Sequence, residues 1–251
     1  MGTSDPDHIT AISALPATPH IVVLTGAGIS AESGIQTFRG AGGLWEDHRI
    51  EEVATPEAYE RDPALVQRFY NHRRQQLLSG NTQPNPAHRA LAELARAANG
   101  HCLVVTQNID DLHDREEHRH LLHMHGELVR SRCTACGRMF EQHTDLSTSS
   151  QCLNCTEKGT LRPDIVWFGE MPKHMDEIYG SLTQCDLFIA IGTSGNVYPA
   201  AGFVQTALEA GAYTIEVNTD ASQTSALFDT HLVGEAGEMV PVLTNYLLAR
   251  Y

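Results

Sequence analysis

Four short apolar runs stand out along the chain: IVVLT at 21–25, CLVVT at 102–106, LFIAI at 187–191 and YTIEV at 213–217. They are rich in β-branched residues and too short for helices, which predicts strands of a parallel sheet buried on both faces. The segments between them carry helix ends. Asp62 with Pro63 supplies an N-cap and a first-turn proline for a helix that ends near Ser79 and Gly80. A second helix runs from about Pro86 to Asn99, with Gly100 as its left-handed stop, and a third spans 200–210 and stops at Gly211. Strands alternating with helices predict an α/β fold built on a doubly wound parallel sheet.

Each strand runs at its carboxyl end into a polar or glycine-rich stretch: GAGIS, QNID, GTSGN and NTD in turn. Open α/β sheets bind ligands at those ends. The plain alternative is that all four are ordinary polar turns. Gly26, Ala27, Gly28 and Ala31 satisfy G-x-G-x-x-A after a strand. Small residues there let a backbone approach a pyrophosphate, with N–H groups aimed at its charge. The pattern is weak by itself, and Glu46 or Asp47, the acidic residues at the right spacing, follow a non-strand stretch.

The 251 residues suffice for a main domain with a smaller module. A formal charge of −14 disfavours non-specific attraction to nucleic acid or an anionic membrane. No secretory or transit signal is legible in the first twenty residues, and Pro6 stands where a myristoylation motif needs Ser or Thr. The longest uncharged stretch, 187–208, is broken by GTSGN and Pro199, which predicts no membrane span. The expected location is the cytoplasm.

Cys133 and Cys136, then fifteen residues, then Cys152 and Cys155 give the four-thiolate spacing of a zinc ribbon. Four thiolates close the coordination shell, so the metal is expected to be structural; disulfides are the alternative, disfavoured in a reducing compartment. The ribbon spans roughly 127–160, between the second and third sheet strands, while Cys102 and Cys185 read as buried thiols. Tyr70 and Arg73 lie three apart on the helix that starts at Asp62, on the face of Val66 and Leu77. A guanidinium on an apolar stripe calls for an anion. That anion is either a ligand carboxylate clamped with help from the Tyr70 hydroxyl or an internal Asp or Glu.

Taken together, GAGISAESGIQTFRG (26–40), GLW (43–45), TQNIDDLH (106–113), HMHGEL (123–128), the four cysteines, RPDIVWFGE (162–170) and IGTS (191–194) resemble the sirtuins, NAD-dependent protein-lysine deacylases. ATPEAY (54–59) and FYNHRR (69–74) narrow the likeness to bacterial members of class III, the group with desuccinylase activity. The resemblance implies a Rossmann-like NAD-binding domain at 21–126 and 161–251 after an N-terminal extension at 1–20, with helices from about 40–80 joining the ribbon in the small domain. It implies that Gly26, Ala27, Gly28, Ser30, Glu32, Phe38, Arg39 and Trp45 wrap the dinucleotide, and that Gln107, Asn108, Ile109 and Asp110 surround nicotinamide and its ribose. Gly192, Thr193 and Ser194 match the phosphate and adenosine loop, Asn218 the adenine-ribose partner and Ala236 the adenine-flanking position. His125 falls on the family's catalytic histidine, with Asn108 and Asp110 beside it in catalysis, and His123 is implied to be structural.

The likeness assigns Tyr70 and Arg73 to the acidic end of succinyl-lysine, and an acylated protein lysine as partner. The peptide is expected to add as a strand between VWFGE and GNVYP, touching Val166, Phe168, Gly169, Asn196 and Val197. Two departures stand out: Gln36 replaces the family's usual proline or basic residue, and DREEHRH at 114–120 replaces a stretch with an Ala-Gly pair. Rival readings are a dehydrogenase, which leaves the cysteines unexplained, a non-catalytic zinc-ribbon interaction protein, which lacks a basic face, and a protein ADP-ribosyltransferase.

Overall fold

A computed structural model describes Ile12, residues 14–36, the backbone of 44–45, and residues 48–249. In chain order the strands are β1 (Ile21–Thr25), β2 (Leu44–Trp45), β3 (His48–Arg49), β4 (Cys102–Thr106), β5 (Leu121–His123), β6 (Gly126–Cys133), β7 (Met139–Glu141), β8 (Leu161–Ile165), β9 (Leu187–Ile191), β10 (Tyr213–Asn218) and β11 (Thr230–Val233). The helices are α1 (Ile50–Val53), α2 (Pro56–Arg61), α3 (Pro63–Leu78), α4 (Pro86–Ala97), α5 (Leu112–Arg115), α6 (Met175–Leu182), α7 (Phe203–Glu209) and α8 (Ala236–Leu248).

Six parallel strands form the main sheet in the order β11-β10-β9-β1-β4-β5. The four apolar runs are its four central strands, because residues buried on both faces need no polar alternation. Ile21 and Val23 face a core with Leu91 and Leu94 of α4 and Val240 and Leu243 of α8. Val22 and Leu24 face the opposite core, with Ile178 and Leu182 of α6 and Phe203 and Val204 of α7. Helices on both faces make the fold doubly wound, as expected. The strand order reverses at β1, between β4 and β9, which opens the ligand crevice of such sheets.

The helix ends follow local chemistry. The Asp62 carboxylate accepts from the Leu65 amide at 2.9 Å and caps α3, whose first residue is Pro63. Helix α4 stops at Ala97, two residues short of the expected end, because Asn99 itself adopts the left-handed conformation (φ 45°) ahead of Gly100. The segment expected to be helical from 200 begins as a 3-10 turn, Ala200–Gly202, before α7.

A second sheet, antiparallel in the order β7-β6-β8, lies beside the first, and its strands frame the four cysteines. Val66, Phe69, Tyr70 and Leu77 of α3 pack with Leu128, Ile165 and Trp167, so this helix lies against the smaller sheet. Among the described residues no helix is long and apolar enough to cross a membrane.

Candidate active site and cysteine cluster

The loops after β1 and β9 meet at closest backbone range. The Gly26 amide donates to the Ile191 carbonyl at 2.9 Å and the Gly28 amide to the Gly192 carbonyl at 2.9 Å. A Cβ on Gly28 would lie 2.6 Å from the Gly192 Cα, and one on Gly192, which has φ 61°, would lie 2.5 Å from the Ile29 nitrogen. Only glycine allows this approach. Gly26, Ala27, Gly28, Gly192, Thr193 and Ser194 thus form a wall rich in glycine and small residues on a cavity of about 310 Å³. Such a wall at the switch point of a parallel sheet fits a dinucleotide phosphate.

The same cavity is lined by Gln107, Asn108, Ile109, Asp110 and His125. The Asn108 side-chain amide donates to the Gly26 carbonyl (3.2 Å) and to Ser30 Oγ (3.1 Å), and the Ser30 hydroxyl donates to Asp110 Oδ2 (3.0 Å). The Leu112 amide holds the other Asp110 oxygen at 3.1 Å. Burial pushes the Asp110 carboxyl up to about 6, with these hydrogen bonds only partly opposing the shift. His125 Nδ1–H donates to the Gln107 carbonyl at 3.0 Å; a carbonyl can only accept, so the ring keeps its Nε2 lone pair. Burial holds His125 below the usual histidine range, against the opposing effect of that hydrogen bond. The result is a neutral base beside a positioned amide and carboxyl.

Tyr70 and Arg73, both buried, line the same cavity. The Tyr70 hydroxyl accepts from Trp167 Nε1 at 3.0 Å, and burial raises its proton affinity. Arg73 donates to the Phe69 carbonyl at 2.7 Å and stacks its guanidinium 3.2 Å over the Phe69 ring. Val166, Phe168, Gly169 and Val197 also line the cavity, whereas Asn196 does not. The Val166 amide is already bonded to the His125 carbonyl and the Phe168 amide to that of Ala54. An added strand must therefore use other groups of this segment.

Ser30, Glu32, Asn218 and Ala236 stand outside the cavity lining. Ser30 supports Asn108 and Asp110, and Glu32 accepts from the Gly237 amide at the start of α8 (2.6 Å). Asn218 holds the Thr193 carbonyl at 2.8 Å, and Ala236 is the first residue of α8. Phe38, Arg39 and the side chain of Trp45 lie outside the described residues. Sequence reasoning missed Trp167, which links Tyr70 to Arg162 by a 3.3 Å cation–π contact, and Thr82 and Leu128 in the lining. Its signal was present, since Trp167 sits inside the VWFGE motif.

The 114–120 stretch folds as the end of α5 followed by a turn in which Glu117 and His120 take left-handed backbone (φ 54° each), a conformation better suited to glycine. His118 meets His113 edge to face (4.7 Å between ring centres), His113 lies tilted against His88 (4.8 Å), and burial lowers the proton affinity of all three. His118 Nε2–H donates to the His88 carbonyl at 2.9 Å. His123 and His125 have separate partners, with His123 Nε2 3.0 Å from Asp114 Oδ2.

Cys133, Cys136, Cys152 and Cys155 point their sulfurs together, with Cys133–Cys155 and Cys136–Cys152 each at 3.7 Å. Zn–S bonds of about 2.3 Å in a tetrahedron place sulfurs about 3.8 Å apart, so the cluster fits one zinc ion. The Asn154 and Cys155 amides point at Cys152 Sγ (3.4 and 3.5 Å), which stabilises a thiolate. The core around this cluster has only two buried apolar residues besides the cysteines, Leu146 and Leu161. So small a core needs a metal to hold it.

The Sir2 family model matches residues 26–199. An NAD-dependent protein deacylase of Bdellovibrio bacteriovorus is 58% identical over 229 residues, covering 91% of this chain and 97% of the relative. One from Shewanella oneidensis is 56% identical over 230 residues, covering 92% and 95%. Among solved structures, a Sir2 homolog–NAD complex superposes with a TM-score of 0.86 at 38% identity, over 100% of this chain and 96% of the other. A Sir2 protein bound to a myristoylated histone peptide gives 0.71 at 32% identity, covering 97% of each. The family model spans more than half of the chain and these relatives cover nearly all of it, so the chain belongs to the Sir2 family.

Proposed function

We propose that this protein removes acyl groups from protein lysines in an NAD-dependent reaction, giving free lysine, nicotinamide and an O-acyl-ADP-ribose. The observation that carries this reading is the single cavity that joins the glycine-rich wall, the Asn108–Ser30–Asp110 network, the neutral His125, Tyr70 and Arg73. Bound NAD supplies an electrophilic ribose carbon as nicotinamide departs, and is consumed as a reagent.

Gly26, Ala27, Gly28, Gly192, Thr193 and Ser194 hold the phosphates, with Asn218 and Ala236 behind them on the adenosine side. Gln107, Asn108, Ile109 and Asp110 orient nicotinamide and its ribose. His125 Nε2 takes a proton from a ribose hydroxyl. Val166, Phe168, Gly169, Asn196 and Val197 receive the peptide, and Tyr70 and Arg73 receive the carboxylate of a succinyl or malonyl group. The domain at 21–126 and 161–251 binds NAD, and the ribbon at 127–160 helps wall the cleft. A cytoplasmic location goes with this reading.

The test is mass spectrometry of acetyl-, succinyl- and malonyl-lysine peptides with and without NAD, with a His125→Tyr variant in parallel. Acyl loss matched one for one by nicotinamide release, absent without NAD and abolished in the variant, is expected. A peptide that gains ADP-ribose mass replaces the proposal with ADP-ribosyl transfer. Absence of nicotinamide release leaves a zinc-ribbon interaction protein.

A further inference from the structure

Three donors converge outside the cysteine cluster. Asp114 lies in α5, His123 ends β5 and Glu127 is the second residue of β6. One ligating atom from each lies within 4.8 Å of the other two. The imidazole is more than nine-tenths buried, at 8% exposure, and its Nε2 is turned into the group, 3.0 Å from Asp114 Oδ2. Its Nδ1 is buried without a hydrogen-bond partner. The side chain of Asp114 is 45% exposed and gives the group an opening to solvent.

The surrounding charges favour a cation. Two carboxylates, Asp114 and Glu127, each bring an oxygen within 4.8 Å of the His123 ligating nitrogen. Arg130 engages Glu127 Oε1 at 3.0 Å. Arg115, next to Asp114 in sequence, turns away to Asp111 (2.8 Å) and to the carbonyls of Thr82 and Leu77. With the imidazole neutral the three donors carry two negative charges, and they match a divalent ion once the Arg130 side chain, 45% exposed, turns from Glu127 to solvent.

We propose that Asp114, His123 and Glu127 form a second, exchangeable site for a borderline divalent ion of the Zn²⁺ type, separate from the four cysteines. Metal–ligand bonds of about 2.0–2.2 Å require the donors to close to roughly 3–3.5 Å. The exposed Asp114 on a four-residue helix can make that shift. An imidazole among the donors selects Zn²⁺, Co²⁺ or Ni²⁺ over Mg²⁺ and Ca²⁺. Three protein ligands leave a position for water, so the ion exchanges. His125 lies midway between His123 and Glu127, so the ion ties together both ends of the segment that carries it. None of this depends on which acyl group the cavity accepts.

The test titrates Zn²⁺, and separately Co²⁺, into the zinc-loaded full chain, with bound metal counted by elemental analysis and Co²⁺ followed by absorption. One ion per chain beyond the thiolate-bound one is expected, and its cobalt spectrum should lack sulfur-to-metal charge transfer. Asp114→Asn and Glu127→Gln, both on accessible side chains, should each weaken that ion at least about tenfold. A control, Glu141→Gln, removes the carboxylate of the exposed His143 pair (3.6 Å) and should leave the affinity unchanged. A total of one ion per chain, or a second ion held equally well by both carboxylate variants, overturns the proposal.

Discussion

His125 and Gln107 are joined by a 3.0 Å hydrogen bond from the imidazole Nδ1 to a main-chain carbonyl, so the tautomer of the base is set by backbone rather than by another side chain. No substitution of the Gln107 side chain can remove that partner. Burial lowers His125 and lifts Asp110 to about 6, each shift favouring the uncharged form. In the proposed reaction both act deprotonated. The kcat/KM profile should be flat from neutral pH upward and fall on acidification through about 6, where Asp110 takes up a proton. Asp110→Asn should remove the limb at about 6, so that His125 alone sets any acid limb of the remaining activity. An acid limb above neutral pH in the wild type refutes the assignment.

Asp110 also links function to stability. Its folded-state value lies above the 3.8 of a free carboxyl. The sign is therefore that of a raised group: its contribution to stability is complete below about 3.8 and is lost as pH rises through about 6. At pH 7.5 the buried charge is destabilising, and Asp110→Asn should raise stability by about 1–3 kcal/mol while depressing turnover. Thermal unfolding at pH 7.5 and at pH 4.5 checks this, because the gain should shrink at the lower pH.

Removing the Arg73 guanidinium should separate the substrates. Arg73→Met keeps an unbranched side chain and deletes the charged group that lies over Phe69. Desuccinylation should fall about tenfold to a hundredfold, the worth of a charge-assisted pair of hydrogen bonds, with deacetylation changed by less than about threefold. Tyr70→Phe should act in the same direction more weakly. Equal losses for both acyl groups refute the clamp.

Gly28→Ala tests the cradle. Its Cβ would meet the Gly192 Cα at 2.6 Å and the Gly192 carbonyl oxygen at 2.9 Å, both backbone atoms that cannot rotate away. Separating β1 and β9 at their carboxyl ends should destabilise the protein by about 1–3 kcal/mol and raise the KM for NAD at least about tenfold. Urea unfolding and initial rates at varied NAD measure the two effects.

Loss of the structural metal should be confined to the smaller sheet. Cys155→Ser opens the sulfur cluster, and its small core cannot compensate for an ion worth about 10 kcal/mol or more to such modules. Hydrogen exchange should show β6, β7 and β8 losing protection while β1 and β9, buried between α4 and α6, retain theirs. Activity should vanish, since β6 begins directly after His125.

The central strands were legible because burial on both faces leaves short apolar, β-branched runs, uninterrupted at 21–24, 102–105 and 187–191 and broken at 213–217 only by Thr214 and Glu216. The edge strands β5 and β11 were not: LLH and THLV are three and four residues long, and each owes its strand state to one neighbour in the sheet. The cysteine spacing announced a metal because both halves of the site are local C-x-x-C turns. Asp114, His123 and Glu127 carry no such spacing, and their convergence appears only when α5, β5 and β6 are brought together.

The sequence by itself therefore determined the alternation of strands and helices, the thiolate cluster and, through its motifs, the family. Those are properties of short stretches whose residue types act on their own backbone. Only the tertiary structure decided that Ser30 and Glu32 brace other groups outside the cavity lining, that Trp167 holds Tyr70, and that a backbone carbonyl fixes the His125 tautomer. Each of these is a contact across 18 to 205 residues, and no local propensity encodes which distant atom fills a hydrogen bond.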